Sequence, residues 1–327
     1  MTLSKLAKLA NVSVSVVSKA FSGRSDVSDQ MREHVFAVAK KYGCFEQFYH
    51  VPYDRPVVAL IIPEVISQHY IRYMECLKTR MEENGYTMLL SISNFDSRMV
   101  YELTRYYTEH GKVDGLVCMG AIPKLDIGSD TVLISIGSKA CENGFVNKVG
   151  LDIQTGIDKA VKYLKECGHT RIAYVGEAFT ETKREILSSV MRENGLELKE
   201  EYAICSRFRF EEAGKDGVDK LIALDEKPSA IIGAYGYITK GILARLEEGG
   251  ISVPDDISVI SMDDAPSPLH ATLDVSCIPC DTEKVCDTII ELLGSKLADK
   301  KNSKAETVDV PASFYTGNTI KVKKSVI

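Results

Sequence analysis

Apolar positions in residues 2–21, TLSKLAKLANVSVSVVSKAF, fall into two short helical stripes. Leu3, Leu6, Ala7 and Ala10 recur at i, i+3, i+4 and i+7. Thr2, just ahead of them, is an N-cap whose hydroxyl accepts a free backbone N–H. Asn11 stands where a tight turn needs a residue tolerant of a left-handed backbone. Ser13 restarts the chain as the N-cap of a second helix. Val17, Ala20 and Phe21 form the inward face of that helix, which leaves Val14, Ser15, Ser18 and Lys19 pointing outward. After a loop at Phe21–Ser25, Ser28 caps a third helix that runs to about Tyr42 and turns Val35, Val38 and Ala39 inward.

From Val57 onward the pattern changes to short apolar runs alternating with amphipathic stretches. VVALIIP reads as a buried parallel strand ended by a proline, and further strands are predicted at Tyr86–Ser91, Gly115–Met119, Val132–Ile136, Arg171–Val175, Ala230–Gly233 and Ser258–Met262. Helices are predicted at Tyr70–Gly85, Met99–Gly111, Gln154–Cys167, Thr182–Asn194, Ala213–Ala223 and Ile238–Glu248. Repeated βα units of this kind imply parallel sheets with helices on both faces.

The length, 327 residues, exceeds one ordinary core and calls for two or three domains. Charge changes the picture more than composition does. Residues 1–50 carry seven Lys/Arg against four acids, a net +3, so the chain total of −6 leaves −9 on the remainder. A basic front on an acidic body fits a phosphate-binding head attached to a part that repels nucleic acid. No run of about 18 apolar residues and no signal-peptide stretch is present, so the expected location is the cytoplasm, with no membrane contact. Nine cysteines in such a chain read as free thiols. Cys277-Ile278-Pro279-Cys280, near His270 and Cys286, is a single CxxC without a second ligand pair, and no metal or cofactor site is assigned to it.

Spacing alone leaves the first two helices open to two readings: a helical hairpin packing on a partner, or a helix–turn–helix whose second helix enters a DNA major groove. The longer pattern is more specific. TLSKLAKLANVSVSVVSKAFSGRSDVSDQMREHVFAVAKKYGC, with its Ala10-Asn11-Val12-Ser13 turn, Val16-Val17-Ser18-Lys19 helix and Val27-Ser28 restart, resembles the N-terminal domain of LacI/GalR-family transcriptional regulators without a gap through residue 44. The resemblance implies that Thr2, Ser13, Ser18 and Ser28 grip phosphates. It places Val14, Ser15, Val16 and Lys19 on the reading helix. Val14 is suited to a thymine methyl, Ser15 to several bases, and Lys19 to guanine O6/N7. Lys19 stands where the family commonly has Arg, which weakens bidentate guanine recognition.

The resemblance continues through VDGLVCMG, VGLDIQTGIDKAVKYLKECGHTRIAYVG, EKPSAII and GGISVPDDISVISMDD. It implies an α/β fold like the periplasmic sugar-binding proteins, with two doubly wound parallel-sheet subdomains flanking a cleft and three chain crossings between them. The expected division is a head at residues 1–44, a linker at 45–56 and an effector-binding domain at 57–327. Within that domain the N-subdomain takes 57–152 plus 281–312, and the C-subdomain takes 153–280 plus 313–327. Ligands bind at the carboxyl ends of strands in such sheets.

Two segments depart from the family pattern. FEQFYHVPYDRP, at residues 45–56, lacks the Ala and Leu of the family's minor-groove hinge helix, is about two residues short, and carries Pro52 and Pro56, which oppose a continuous helix. Phe45, Phe48 and Tyr49 there are either wedges or packing residues. In the cleft, the Asn-Asp pair that holds sugar hydroxyls is replaced by Tyr235-Gly236, and Lys183-Arg184 is followed by Ile186-Leu187 rather than a Gly-aromatic pair. Tyr70, Lys183, Arg184, Tyr235 and Asp263 are the candidate effector-binding residues, in a site that no longer suits an ordinary sugar. Asp152 matches the pattern too, and is equally a helix cap.

These observations together lead us to expect a sequence-specific, DNA-binding repressor, working as a homodimer on a near-palindromic operator under control of a small-molecule effector. The alternative is a ligand sensor with a degenerate head that acts through protein partners. No P-loop, HExxH, GxSxG or His-activated nucleophile occurs, so no catalytic residues are assigned.

Overall fold

The computed structural model describes residues 1–22, 26–49, 55–111, 113–122, 131–137, 145–262, 273–299 and 304–322. It divides into two compact units, Met1–Pro56 and Val57–Ile327.

The first unit is a three-helix core built from α1 (Leu3–Ala10), α2 (Val14–Phe21) and α3 (Asp29–Lys41). Each helix has a hydroxyl N-cap: Thr2 accepts from Lys5 N, Ser13 from Val16 N and Ser28 from Met31 N. Asn11 is left-handed (φ 53°, ψ 45°), which lets its own N–H close on the α1 carbonyls and turns the chain into α2. Leu6, Ala7, Ala10, Val17, Ala20, Phe21, Val35 and Ala39 are buried together. A single further turn, α4 (Phe45–Phe48), folds back on this core. Phe45, Phe48 and Tyr49 pack around Phe21 and Phe36 at ring-centroid distances of 5.1 to 5.9 Å, and Phe45 and Tyr49 stack on each other at 4.5 Å. These aromatics thus serve as the lid of the head's own core. Pro52 lies outside the described residues.

The second unit contains two parallel sheets. The first runs in the order β11-β5-β4-β3-β1-β2, from β1 (Val57–Ile62), β2 (Thr87–Ile92), β3 (Gly115–Met119), β4 (Val132–Ile136), β5 (Asn147–Asp152) and β11 (Thr307–Pro311). The second runs β10-β9-β8-β6-β7, from β6 (Ile172–Glu177), β7 (Ala203–Ser206), β8 (Ala230–Gly233), β9 (Ser258–Ser261) and β10 (Ser276–Cys277). Every described strand pairing is parallel. The central strands β1, β3, β4, β6, β8 and β9 are buried along their whole length, as strands covered on both faces must be.

Helices α5 (Gln68–Glu83), α6 (Ser97–Arg105) and α11 (Thr282–Ala298) belong with the first sheet. Helices α7 (Ile153–Glu166), α8 (Glu181–Glu193), α9 (Phe210–Ile222) and α10 (Gly236–Glu248) belong with the second. The chain passes from the first sheet to the second after β5 and returns at α11 to add β11. It then goes back, so that Tyr315 bridges Cys277 and Thr319 bonds the Val259 backbone. Helices α9 and α10 meet through Gly214 and Gly241. A Cβ on Gly241 would overlap the Glu211 carbonyl, and one on Gly214 the Ile238 carbonyl.

The α/β architecture, a helical head followed in the chain by a unit of two parallel sheets, matches the sequence expectation. In the second unit the strands β5, β7, β10 and β11 and the helix α11 are not assigned from the sequence, and neither is the short α4 of the first. The helix expected at Met99–Gly111 stops at Arg105 and ends in a π turn, Tyr106–Gly111.

Candidate functional site

The outward face of α2 is the first candidate site. Val14 is 43% exposed, Ser15 and Ser18 are exposed, and Val16 and Lys19 are half-buried. The Thr2, Ser13 and Ser28 oxygens accept helix N–H groups, and each hydroxyl proton stays available to an anion lying at the helix N-terminus. Ser18 instead stands mid-helix on the exposed face. Lys19 is already engaged: its ammonium pairs with Asp26, at the start of the segment leading to α3. This partner was not foreseen from the sequence.

The second site is a cavity of about 310 Å³ between the two sheets of the second unit. Strand ends from both sheets reach it. Glu64 follows β1, Met119 ends β3 and Gly120 follows it, Ile136 ends β4 and Gly137 follows it, and Leu151 lies in β5. Glu177 ends β6, Arg209 follows β7, Tyr235 follows β8, and Met262 follows β9. Carboxyl ends of parallel strands converge on this point because every strand runs the same way. Gly120 (φ 129°) and Gly137 (φ 143°), which line the cavity, adopt backbone angles that strongly favour glycine.

Of the five expected ligand residues, Tyr70, Lys183 and Tyr235 line the cavity. Lys183 donates from Nζ to the carbonyls of Ala234 (2.7 Å) and Met262 (3.2 Å), so it caps the ends of β8 and β9. Tyr235 donates to Glu177 Oε1 (3.1 Å) and accepts from Phe210 N (3.1 Å). Burial, joined by the neighbouring Glu177 carboxylate, pushes its phenol above the usual pKa. Arg184 does not line the cavity; its guanidinium turns to Glu181, one helical turn back, with Nε 3.0 and 3.1 Å from the two carboxylate oxygens. Asp263 lies outside the described residues. Asp152 is the N-cap of α7, accepting from Thr155 N at 3.1 Å.

The residues that organise the cavity were missed. Arg209 donates both terminal nitrogens to Glu64 (3.1 Å each) and approaches Glu177 with Nε (3.5 Å). Glu64 belongs to the first sheet and the other two to the second, so the ion pair spans the cleft. Burial disfavours the Arg209 charge, but the Glu64 and Glu177 carboxylates outweigh it and hold the guanidinium above its ordinary pKa. The guanidinium also lies 5.4, 5.1 and 4.5 Å from the rings of Phe95, Phe179 and Phe210, within cation–π range. Phe95 and Phe179 stack across the cleft with centroids 4.3 Å apart. Phe95 (φ 60°) and Phe210 (φ 56°) are bulky residues in the left-handed region, a cost of about 1–3 kcal/mol each that clusters at functional sites. One trace of this site is legible in the chain: the alternation Arg207-Phe208-Arg209-Phe210.

A helix–turn–helix head joined to a two-lobed, periplasmic-binding-protein-like domain defines a regulator with a reading module and a sensing module. Residues 2–44 match the profile of bacterial regulatory proteins of the lacI family, and residues 161–320 match that of the periplasmic binding protein-like domain. The HTH-type transcriptional regulator DegA of Bacillus subtilis (strain 168) is 26% identical over 278 residues, covering 80% of this chain and 81% of its own. The HTH-type transcriptional repressor PurR of Vibrio campbellii is 23% identical over 346 residues, 98% of each chain. Among solved structures, the transcriptional regulator CelR in complex with cellobiose superposes with a TM-score of 0.67 at 21% identity, covering 98% of this chain and 99% of that one. The chain belongs to the LacI family of transcriptional regulators. Among the described residues, no helix is long and apolar enough to cross a membrane.

Proposed function

We propose that this protein is an effector-controlled repressor that binds a near-palindromic operator in the cytoplasm as a homodimer. The observation that carries the reading is α2, with its hydroxyl cap and its outward row of exposed Val14, Ser15 and Ser18 and half-buried Lys19. A row this small and polar suits base edges better than a protein core. The dimer has its own support. Edge strand β2 exposes Leu89, Leu90 and Ile92, and Val65, Ile66 and Met99 nearby are exposed as well. Such an apolar edge calls for a cover, and a second copy supplies one with two-fold symmetry. The effector belongs in the cavity between the sheets. Its lining is largely aromatic and aliphatic, Glu64 and Glu177 pair with Arg209 and Lys183 is bonded to backbone carbonyls, so it fits an ordinary sugar poorly.

Selection of bound sequences from a random DNA library, followed by anisotropy titrations at several salt concentrations, tests this reading. Inverted repeats with centres about one helical turn apart and a steep salt dependence are expected. Salt-independent or absent DNA binding would favour a sensor acting through protein partners. Leu90→Glu should yield a monomer in sedimentation experiments.

A further inference from the structure

The cage around Arg209 has the composition of a cation receptor, and its occupant is a side chain of the same protein. Two carboxylates, Glu64 and Glu177, are 9% and 3% exposed, and three phenyl rings surround the guanidinium they hold. The groups differ in how easily they are left alone. Glu177 also accepts from Thr180 N and Tyr235 OH. Glu64 has Arg209 as its hydrogen-bond partner. Arg209 is one-third exposed and sits on a long, flexible stem.

A ligand entering this cage must take over one side of the ion pair. An anion would claim Arg209 and strand Glu64, a nearly buried carboxylate, without a partner, which is strongly unfavourable. A cation would claim Glu64 and Glu177 and release Arg209, which can carry its charge into solvent at little loss. With Arg209 withdrawn, the charged groups named on the cavity wall are Glu64, Glu177 and Lys183, a net negative site, and Lys183 is tied to backbone carbonyls. The remaining walls, among them Tyr70, Met119, Ile136 and Leu151, are suited to an apolar body.

From this asymmetry we infer that the cavity recognises a small organic cation, an amine or guanidine with an apolar or aromatic body, which displaces Arg209 from the Glu64–Glu177 cage. The inference rests on the reading of the cavity as the effector site. Arg209 then acts as a built-in competitor that joins the two lobes until the cation takes its place.

The test compares full-length wild type with Arg209→Ala by calorimetric titration and thermal shift. The probes are agmatine and methylguanidinium as cations, citrate and glucose 6-phosphate as anions, and cellobiose as a neutral sugar. Removing the competitor should tighten agmatine binding at least tenfold, and millimolar methylguanidinium should raise the melting temperature of Arg209→Ala more than that of wild type. Adding Glu64→Gln to Arg209→Ala should abolish the gain. Should the alanine chain fail to fold, Arg209→Gln, which keeps an amide donor toward Glu64, carries the same comparison. An anion that binds wild type and is lost in Arg209→Ala would overturn the cation inference while leaving the effector site standing. So would cellobiose binding both chains equally. Absence of a shift with every probe in both chains would overturn the inference and count against the effector site as well.

Discussion

Phe21→Ala should unfold the head and leave the second unit intact. Phe21 ends α2, is 7% exposed, and has the rings of Phe36, Phe45 and Phe48 at 5.0, 5.9 and 5.7 Å. Truncating a buried phenylalanine costs about 3–5 kcal/mol. Each aromatic pair lost adds about 0.5–1.5 kcal/mol beyond its area. Against this stands a unit of 56 residues, Met1–Pro56, whose total stability at about 0.05–0.15 kcal/mol per residue is roughly 3–8 kcal/mol. The substitution therefore removes most or all of what holds the head. Differential scanning calorimetry should show the head transition lost or shifted far down and the larger transition of the second unit unmoved, with operator binding gone. Phe21→Leu, which keeps most of the volume, should lose far less. Retention of wild-type operator affinity and head amide protection in Phe21→Ala would refute the idea that the aromatic cluster sustains the head.

Four further outcomes are expected. Lys19→Ala should cost about 1–3 kcal/mol on the specific operator. Asp26→Asn, which frees Lys19 from its ion pair, should tighten binding by about two- to fivefold at low salt, as anisotropy titration can measure. Gly241→Ala forces a methyl into the Glu211 carbonyl and should destabilise the second unit by about 1–3 kcal/mol or more, lowering its melting temperature alone. Asp158 is held below the ordinary carboxylate pKa of 3.8 by Lys162 and then by Asn194, so its contribution is complete above that value and lost as pH falls through its depressed folded pKa. Acid titration of Asp158→Asn should show a deficit near neutrality that disappears in that acid range.

The head was readable in the chain because its signals are local. Thr2, Ser13 and Ser28 are caps three residues from the amides they serve, and Asn11 declares its turn. The buried strands were readable for the same reason, as unbroken apolar runs. Assignments failed where the cause is distant. β7, Ala203–Ser206, is four residues of mixed burial, and nothing local marks it as an edge strand. Arg209, which follows it, is paired with a glutamate 145 positions away. α11 is a different case: Val285, Ile289, Leu292 and Leu293 recur at helical spacing and could have been recognised. The π turn at Tyr106–Gly111 keeps an amphipathic pattern, so the change in hydrogen bonding leaves no mark on it.

The threefold passage of the chain between the two sheets has a consequence for biosynthesis. β11 joins the first sheet at residues 307–311, and the stretch carrying Tyr315 and Thr319 returns to the second, so neither lobe is complete until those residues have been made. The head needs only the first fifty or so residues. At about 5–20 residues per second it emerges and folds tens of seconds ahead of the domain that governs it. A prematurely terminated message would therefore release a folded reading head lacking both lobes, free of the control that the finished chain exerts.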